Sequence, residues 1–209
     1  MKIGVIQASS QTGKNEMIHD AVKLYAKGHE IVNFGCFEDE DECYSYIEVS
    51  LMIGLLLNSK AVDLIVTGCS SGQGMMLSCN SIPGVLCGYI PTPPDAYLFA
   101  QINNGNCVSL PLGEEYTWHG KDNMYETLKD LFKEPFGQGY PRSEAARKLK
   151  DTLLLKEIRR RSQIGFVEFL DRLDEDLIKK ILLKHNVIDY AKEYSKDDDV
   201  TKWIMDHTS

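Results

Sequence analysis

The sequence of 209 residues has six cysteines but no CxxC pair, and no histidine stands at metal-ligand spacing from them. Such pairs are the usual signature of structural zinc sites and of redox motifs. Their absence predicts free thiols in a reducing compartment, with neither a metal nor another cofactor. Five of the cysteines are interpreted as small core or near-core residues: Cys36, Cys43, Cys79, Cys87 and Cys107.

The chain also lacks an excess of positive charge and a long apolar run. Its 31 acidic residues against 23 basic ones give a formal net charge of −8, which argues against a nucleic-acid or anionic-membrane surface. The most apolar stretch, residues 50–57, lies between Glu48 and Lys60 and is too short to span a bilayer. Because the sequence opens on a strand and not on a leader, we expect a cytoplasmic protein that binds neither nucleic acid nor membrane.

Short apolar runs alternate with helical patterns over residues 1–141. The predicted strands are 2–6, 29–34, 62–66, 84–90 and 106–112, and the predicted helices are 15–26, 44–57, 95–102 and 123–132. This alternation predicts an α/β fold, a three-layer Rossmann-like sandwich with a mostly parallel five-stranded sheet. The helix at 44–57 is so apolar that we expect a second subunit to cover part of it.

Strand signals nearly vanish after residue 141. Helical patterns cover residues 143–161, 164–171 and 176–185, and the acidic segment 196–209 is expected to be mobile. No linker of low complexity separates this part from the rest. The sequence therefore predicts two parts, a Rossmann-like core at 1–141 and a helical C-terminal extension at 142–209 that packs on that core.

The most informative segment is the loop that follows the third predicted strand. The run 62–66 reads as a strand buried on both faces, so Cys69 lies where a parallel strand ends, and such edges bind ligands. Gly72 and Gly74 let the backbone approach a ligand closely, and the start of the next helix offers free N–H groups to an anion. A cysteine beside such donors can act as a thiolate base or nucleophile. The alternative is a tight turn with an inert buried cysteine.

This loop and two later segments carry a resemblance to a known family. The residues concerned are Cys69-x-Ser71-Gly72-x-Gly74, Ser81-Ile82-Pro83-Gly84-Val85 and Asn103-Asn104-Gly105-Asn106. Together with the order of strands and helices, they resemble the family of ribose-5-phosphate isomerase type B and galactose-6-phosphate isomerase over roughly residues 1–147.

The resemblance implies an isomerase with its pocket between two subunits, in a homodimer or homotetramer. By position, Cys69 would be the base that moves a proton between C1 and C2, Ser71 would supply a hydroxyl, and Asn103 would bind the substrate through its amide. The enediolate oxygens would be held by backbone N–H groups of Ser70, Gly72, Gln73 and Gly74. Moving a carbonyl needs one base beside the C–H bond and fixed donors at the oxygen, which agrees with these residues.

Two departures from the family pattern bear on the substrate. Ala8 and Ser9 stand where the family has an Asp-His pair, and Ile102 stands where it has a histidine before the matched asparagine. In the family, those groups open a cyclic sugar and help to hold its phosphate. Ring opening needs an acid and a base, which neither Ala8 nor Ile102 supplies. The substrate is therefore expected to arrive in its open form.

The far end of the substrate is expected to carry a carboxylate. Arg142 and Arg147 follow a glycine-rich segment, as the family's anion-binding arginines do, although the spacing differs by one. A forked guanidinium suits a carboxylate. Ser9 and Ser10 would add neutral hydrogen bonds there, and the alternative for both is a role in capping the first helix.

A subgroup of this family with a longer helical C-terminus is associated with the breakdown of unsaturated uronates. Its resemblance implies isomerisation of 4-deoxy-L-threo-5-hexosulose uronate to 3-deoxy-D-glycero-2,5-hexodiulosonate. The substrate is a small sugar acid that has no C4 hydroxyl and cannot close the usual pyranose hemiacetal. Two alternatives stay open at this point. One is a pentose or hexose phosphate isomerase, acting on ribose 5-phosphate or galactose 6-phosphate. The other is a non-catalytic partner subunit, which would have little reason to keep Cys69.

Overall fold

Five parallel strands form the sheet that carries the candidate site. The structure, a computed structural model, describes residues 1–115 and 118–208. Its strands are β1 (Lys2–Ile6), β2 (Glu30–Gly35), β3 (Leu64–Cys69), β4 (Cys87–Tyr89) and β5 (Cys107–Pro111). They lie in the order β2-β1-β3-β5-β4, and every pair is parallel. The predicted sheet is confirmed and is wholly parallel.

Helices connect the strands and continue to the C-terminus. They are α1 (Asn15–Tyr25), α2 (Tyr46–Asn58), α3 (Gln73–Ser81), α4 (Pro93–Leu98), α5 (Lys121–Leu131), α6 (Ala145–Ser162), α7 (Phe166–Leu170), α8 (Glu175–Leu182), α9 (His185–Tyr194) and α10 (Asp198–His207). The helix predicted at 95–102 is divided, because a π-helical turn, Phe99–Asn103, follows α4. Among the described residues, no helix has both the length and the apolar character needed to cross a membrane.

Apolar cores lie on both faces of the sheet, which makes the fold a three-layer sandwich. Successive residues of β3 point to opposite faces, with Leu64 and Val66 on one side and Ile65 on the other. The first core also holds apolar side chains of α1, α4 and α5. The second holds those of α2, α3 and the C-terminal helices. The Rossmann-like α/β prediction is therefore confirmed.

The strand order places a topological switch point between β1 and β3. From β1 the chain moves to β2 on one side of the sheet, whereas β3 leads to β5 and β4 on the other. In open parallel sheets, ligands bind outside the carboxyl ends of the strands at such a point. The loops after β1 and β3 meet there, and the second of them begins at Cys69.

Most of α2 is covered by its own chain, and cover by a second subunit stays a prediction for the exposed Tyr46 and Ile47 at the start of the helix. Residues 49–57 of α2 are all buried within one chain, and the helix packs against α3, α8 and α9. Two ion pairs hold the C-terminal helices to the acidic loop before α2, one from Lys180 to Glu42 and one from the buried Lys184 to Glu40. Tertiary contacts that the local sequence pattern does not reveal therefore supply the cover.

The expectation of a mobile tail is wrong. Val200, Trp203 and Ile204 recur at helical spacing along α10, and all three are buried. The Trp203 indole N–H donates to Asp171 Oδ1 at 2.9 Å, and the Lys196 N–H donates to the Ser59 carbonyl at 2.7 Å. Because acidic residues dominate the composition of this segment, its short apolar stripe did not indicate a packed helix.

Candidate active site

Cys69 is the last residue of β3 and lies at the switch point. Its thiol-bearing side chain is largely buried, with 7% of the residue exposed. The Cys69 carbonyl accepts a hydrogen bond from the Leu112 N–H at 3.1 Å, and the Gly68 carbonyl accepts one from the Ala8 N–H at 3.0 Å. The loops after β5 and β1 thus fix the end of the strand from both sides.

Gly72 shapes the loop that follows. Its φ of +73° lies in the left-handed region, and an added Cβ would lie 2.8 Å from Cε2 of Tyr89 and 2.9 Å from the Leu110 carbonyl oxygen. The Gly72 carbonyl also accepts a hydrogen bond from Ser109 Oγ at 2.7 Å. Only glycine combines this backbone with this contact, because any side chain would be strained and would clash.

The start of α3 points its backbone N–H groups into the same loop. Gly72 is the N-cap and has no side chain to cap the helix, and the first N–H groups of a helix have no partner inside it. The Gln73 N–H donates to Ser71 Oγ at 3.3 Å, a weak contact. At Gly74, an added Cβ would meet only the ring of Tyr46, 3.5 Å away. This geometry is compatible with the predicted anion hole, which stays a prediction.

Gln11 was not among the predicted site residues, but it reaches this loop. It lies in the 3₁₀ turn Ser9–Lys14 after β1, and its amide Nε2 donates to Ser70 Oγ at 3.0 Å. The sequence could have indicated this residue, because the loops after two neighbouring parallel strands meet at one edge. Gln11 thereby connects the first loop with the cysteine loop.

Tyr89 is the second residue that sequence reasoning missed. It is the last residue of β4, and its ring lies against Gly72. Burial raises the pKa of Tyr89, and the negative charges of Asp95 and of the Cys69 thiolate raise it further. The hydroxyl therefore stays neutral at ordinary pH and can donate a hydrogen bond. Its position at the end of a strand was the available signal.

Asn103 lies in a depression shared with Tyr89. The depression has a volume of about 430 Å³ and is also lined by Cys87, Asp95 and Phe99. Asn103 ends the π-helical turn, and the hydroxyl of Thr152 on α6 donates to the carbonyl of the preceding Ile102. The structure thus brings Asn103 to Tyr89, and Tyr89 to the cysteine loop. The substrate-binding role of Asn103 stays a prediction.

Ser9 and Ser10 occupy different environments. The Ser9 N–H donates to the Tyr44 carbonyl at 2.9 Å, and Ser9 Oγ accepts from the Tyr44 N–H at 2.7 Å. Ser9 therefore joins the loop after β1 to the segment before α2. The N-cap of the following 3₁₀ turn is Ala8. Ser10 is exposed, and its contact with a substrate stays a prediction.

The two predicted anion-binding arginines make ion pairs with nearby acidic residues. Arg142 pairs with Glu134 and donates from Nη1 to the Gly139 carbonyl at 2.6 Å. Arg147 pairs with Glu144 and, at 3.1 Å, with Asp151. Among the described residues, these partners include none from the 69–74 loop of the same chain. Their proposed contact with a substrate carboxylate stays a prediction.

Comparison with known proteins identifies the family. A model of the ribose/galactose isomerase family matches residues 3–149. A solved 4-deoxy-L-threo-5-hexosulose-uronate ketol-isomerase, complexed with a tartrate, is 33% identical, has a TM-score of 0.91, and is matched over 99% of this chain and 100% of that one. A ribose-5-phosphate isomerase from Vibrio parahaemolyticus is 34% identical, with a TM-score of 0.91 over 99% of this chain and 98% of that one.

More distant structures share the fold. Type B ribose 5-phosphate isomerase from Trypanosoma cruzi is 20% identical, with a TM-score of 0.62 over 76% of this chain and 98% of that chain. No curated protein matches the sequence. The family model covers the sheet, the cysteine loop and the start of α6, which is well over half of the chain. The chain belongs to the ribose/galactose isomerase family and is a sugar isomerase.

Proposed function

We propose that this sugar isomerase moves a carbonyl between C1 and C2 of an open-chain sugar acid, converting 4-deoxy-L-threo-5-hexosulose uronate into 3-deoxy-D-glycero-2,5-hexodiulosonate. One observation carries the choice of substrate. A buried alanine, Ala8, and Ile102 occupy the two positions where ring-opening groups would stand. A site without an acid and a base for ring opening suits a substrate that is already open. The likeness to a uronate ketol-isomerase is compatible with this choice.

In the proposed mechanism, the Cys69 thiolate removes the proton from C2 of the aldehyde. The electron pair of the C–H bond forms the C1–C2 double bond, and negative charge develops on the aldehyde oxygen. Backbone N–H groups at the start of α3 stabilise that charge, as preformed donors do in other enolate-forming sites. The proton is then delivered to C1 while the C2 hydroxyl loses its own proton, which leaves a ketone at C2.

Tyr89 is proposed as the group that exchanges protons with the two oxygens. Its ring lies against Gly72, and it shares a depression with Asn103. Its raised pKa keeps the hydroxyl protonated at neutral pH, so it can donate to O1 as charge develops there. It would take the place of the acid that the family supplies from the position of Ile102. Asn103 would orient the same oxygens through its amide.

We propose that the protein is a homo-oligomer in which a second copy completes each pocket. Exposed apolar side chains of α6 support this, because Leu153, Leu154 and Ile158 are 69%, 58% and 54% exposed in one chain. Apolar surface of this kind is typical of protein interfaces. Arg142 and Arg147 flank the start of the same helix and bind acidic residues of their own chain. We propose that they reach the substrate carboxylate across the subunit boundary.

A pentose or hexose phosphate isomerase is the second candidate function. The ribose-5-phosphate isomerase from Vibrio parahaemolyticus is as similar to this chain as the uronate isomerase is. Overall likeness therefore does not separate the two substrates. The chemistry of the residues does favour one of them, since a phosphate sugar that closes into a ring needs an acid and a base to open.

The test offers the purified protein three substrates at equal concentration: the keto-uronate, ribose 5-phosphate and galactose 6-phosphate. Product formation is followed by NMR in D₂O, where exchange through an enediolate places deuterium on the carbon that is C1 of the substrate, which is C6 of the hexodiulosonate and C1 of a ketose phosphate. We expect turnover and deuterium incorporation with the keto-uronate, and loss of both in the Cys69→Ala variant. Efficient turnover of either sugar phosphate without activity on the keto-uronate would overturn the substrate assignment and favour the second candidate.

A further inference from the structure

Three cysteines that are far apart in the sequence meet in the core beside the candidate site. Cys79 lies on α3, Cys87 on β4 and Cys107 on β5, and their sulfur atoms all lie within 4.8 Å of one another. Cys87 and Cys107 are direct partners across the parallel pair β4–β5, so the sheet register holds them side by side. Helix α3 brings Cys79 onto the same pair. The backbone therefore preforms the cluster.

The ligand set of this cluster is made of sulfur alone. All three residues are buried and belong to the apolar core that α2 and α3 share. Among the described residues, no histidine or carboxylate belongs to the group. Thiolates select soft ions, whereas Mg²⁺ and Ca²⁺ need oxygen ligands. Zinc in a structural site takes four ligands. The cluster thus fits a soft ion that is satisfied by three sulfurs.

The net charge of the ion together with its three thiolates decides which soft ion suits this buried cluster. Three thiolates around Cu⁺ carry a net charge of −2, and around Zn²⁺ a charge of −1, and burying net charge in an apolar core is costly. Trivalent arsenic with three thiolates is neutral. We propose that Cys79, Cys87 and Cys107 form a three-thiol site for a trivalent thiophilic metalloid, with arsenite as its simplest form.

The binding step balances without a redox partner. Arsenite, As(OH)₃, reacts with three thiols to form three As–S bonds and releases three molecules of water, each built from one arsenic hydroxyl and one thiol proton. For scale, the bond between a thiolate and zinc is about 2.3 Å long. Sulfur atoms already within 4.8 Å of one another can reach a shared ion by small side-chain rotations.

A route of access to the cluster exists. Cys87 retains 5% of its surface and lines the depression that also holds Tyr89 and Asn103. A small neutral solute such as arsenite could enter there. The bound ion would connect α3 to β4 and β5, and so stiffen the helix whose first turn faces the cysteine loop. This inference does not depend on the proposed substrate, because binding is measured directly.

The experiment titrates reduced protein with sodium arsenite under anaerobic conditions and records native mass spectra. We expect one adduct per chain with the mass of one arsenic atom less three protons, which is the signature of three As–S bonds. Single variants Cys79→Ala, Cys87→Ala and Cys107→Ala should each weaken binding by roughly 100-fold or more, since even outer groups at such sites contribute 10- to 100-fold. Cys36→Ala and Cys43→Ala are matched controls and should keep the adduct.

Two further measurements test the three-thiol site even where a cluster variant folds poorly. Arsenite should raise the thermal midpoint of the wild-type protein, because the ion binds the folded state and the three thiols are dispersed in the unfolded chain. The adduct should also survive in Cys69→Ala. An adduct that is lost in Cys69→Ala but retained in the cluster variants would overturn the proposal, and so would an adduct that keeps a hydroxyl on arsenic.

Discussion

The ring of Tyr89 fills the space that a side chain at Gly72 would need, with Cε2 of the ring 2.8 Å from the position of an added Cβ. This contact couples the end of β4 to the loop that follows β3. It holds the Tyr89 ring against the cysteine loop, and it leaves glycine as the residue that fits position 72.

The first prediction tests this contact. Gly72→Ala should lower the free energy of unfolding by roughly 1 to 3 kcal/mol, because alanine is strained at a positive φ and its methyl group meets both the Tyr89 ring and the Leu110 carbonyl. Gly74→Ala is the matched control and should change stability by less than about 1 kcal/mol, since its Cβ meets only the Tyr46 ring at van der Waals distance. Urea denaturation of both variants measures the difference. Equal stabilities would contradict the geometry.

The second prediction concerns Cys69. Cys69→Ala should reduce kcat by about 10²- to 10⁴-fold while leaving the thermal midpoint nearly unchanged, because general-base catalysis is worth that much. The kcat of Cys69→Ser should be almost as low, since an unassisted hydroxyl is a weak base. Cys43→Ala removes an exposed thiol and serves as the control. Retention of more than about a tenth of the wild-type rate in Cys69→Ala would exclude the thiolate as the base.

The third prediction concerns Tyr89. Tyr89→Phe keeps the ring that packs on Gly72 and removes the hydroxyl, so kcat should fall by roughly 10²-fold with little change in KM. Because the pKa of Tyr89 is raised above its usual value near 10, loss of its proton should not reduce the wild-type rate until pH exceeds about 10. Tyr125→Phe on α5 is the control. The dependence of kcat and KM on pH is measured for the wild type and both variants. A wild-type kcat in Tyr89→Phe would refute the proposed proton-exchange role of Tyr89.

The fourth prediction concerns the charged end of the substrate. Arg142→Ala should raise KM by about 30-fold with little effect on kcat, which corresponds to roughly 2 kcal/mol for a lost charge-assisted hydrogen bond. The carboxylate is remote from the moving proton and is bound equally in the ground and transition states. Arg161→Ala removes an exposed arginine from the other end of α6 and is the control. A fall in kcat at unchanged KM would place Arg142 in another role.

The fifth prediction concerns assembly. Replacing Leu154 and Ile158 together by glutamate should convert an oligomer into monomers, because the two exposed side chains lie one turn apart on α6. Leu24→Glu changes an exposed leucine on α1 and should leave the assembly intact. Sedimentation at micromolar concentration measures both. A wild-type protein that sediments as a monomer would refute the shared pocket.

Much of the fold could be predicted because its signals are local. Buried parallel strands are short β-branched runs, and the glycine-rich loop after the third run is enough to predict that Cys69 lies at the sheet edge. The roles of Cys69 as base, of the loop amides and of the two arginines stay predictions. The structure adds Gln11 and Tyr89 to the site. Both lie far from Cys69 in the sequence and reach the cysteine loop only because the chain folds loops and strand ends together.

The parts that could not be predicted depend on distant contacts. The cover on α2 comes from helices more than a hundred residues later, so the apolar pattern alone suggested a partner. The tail was misjudged because acidic residues outnumber its three anchoring apolar side chains. The cysteine cluster joins α3, β4 and β5, and no spacing rule along the chain connects its members.

The late cover of α2 has a consequence for how the protein is made. Lys184 and its partner Glu40 are 144 residues apart, and ribosomes add about 5 to 20 residues per second. The apolar face of α2 is therefore synthesised many seconds before the helices that bury it. During that interval the nascent chain exposes the apolar surface of α2 that α8 and α9 later cover, and we expect the unfinished protein to be prone to aggregation until those helices have been synthesised and packed.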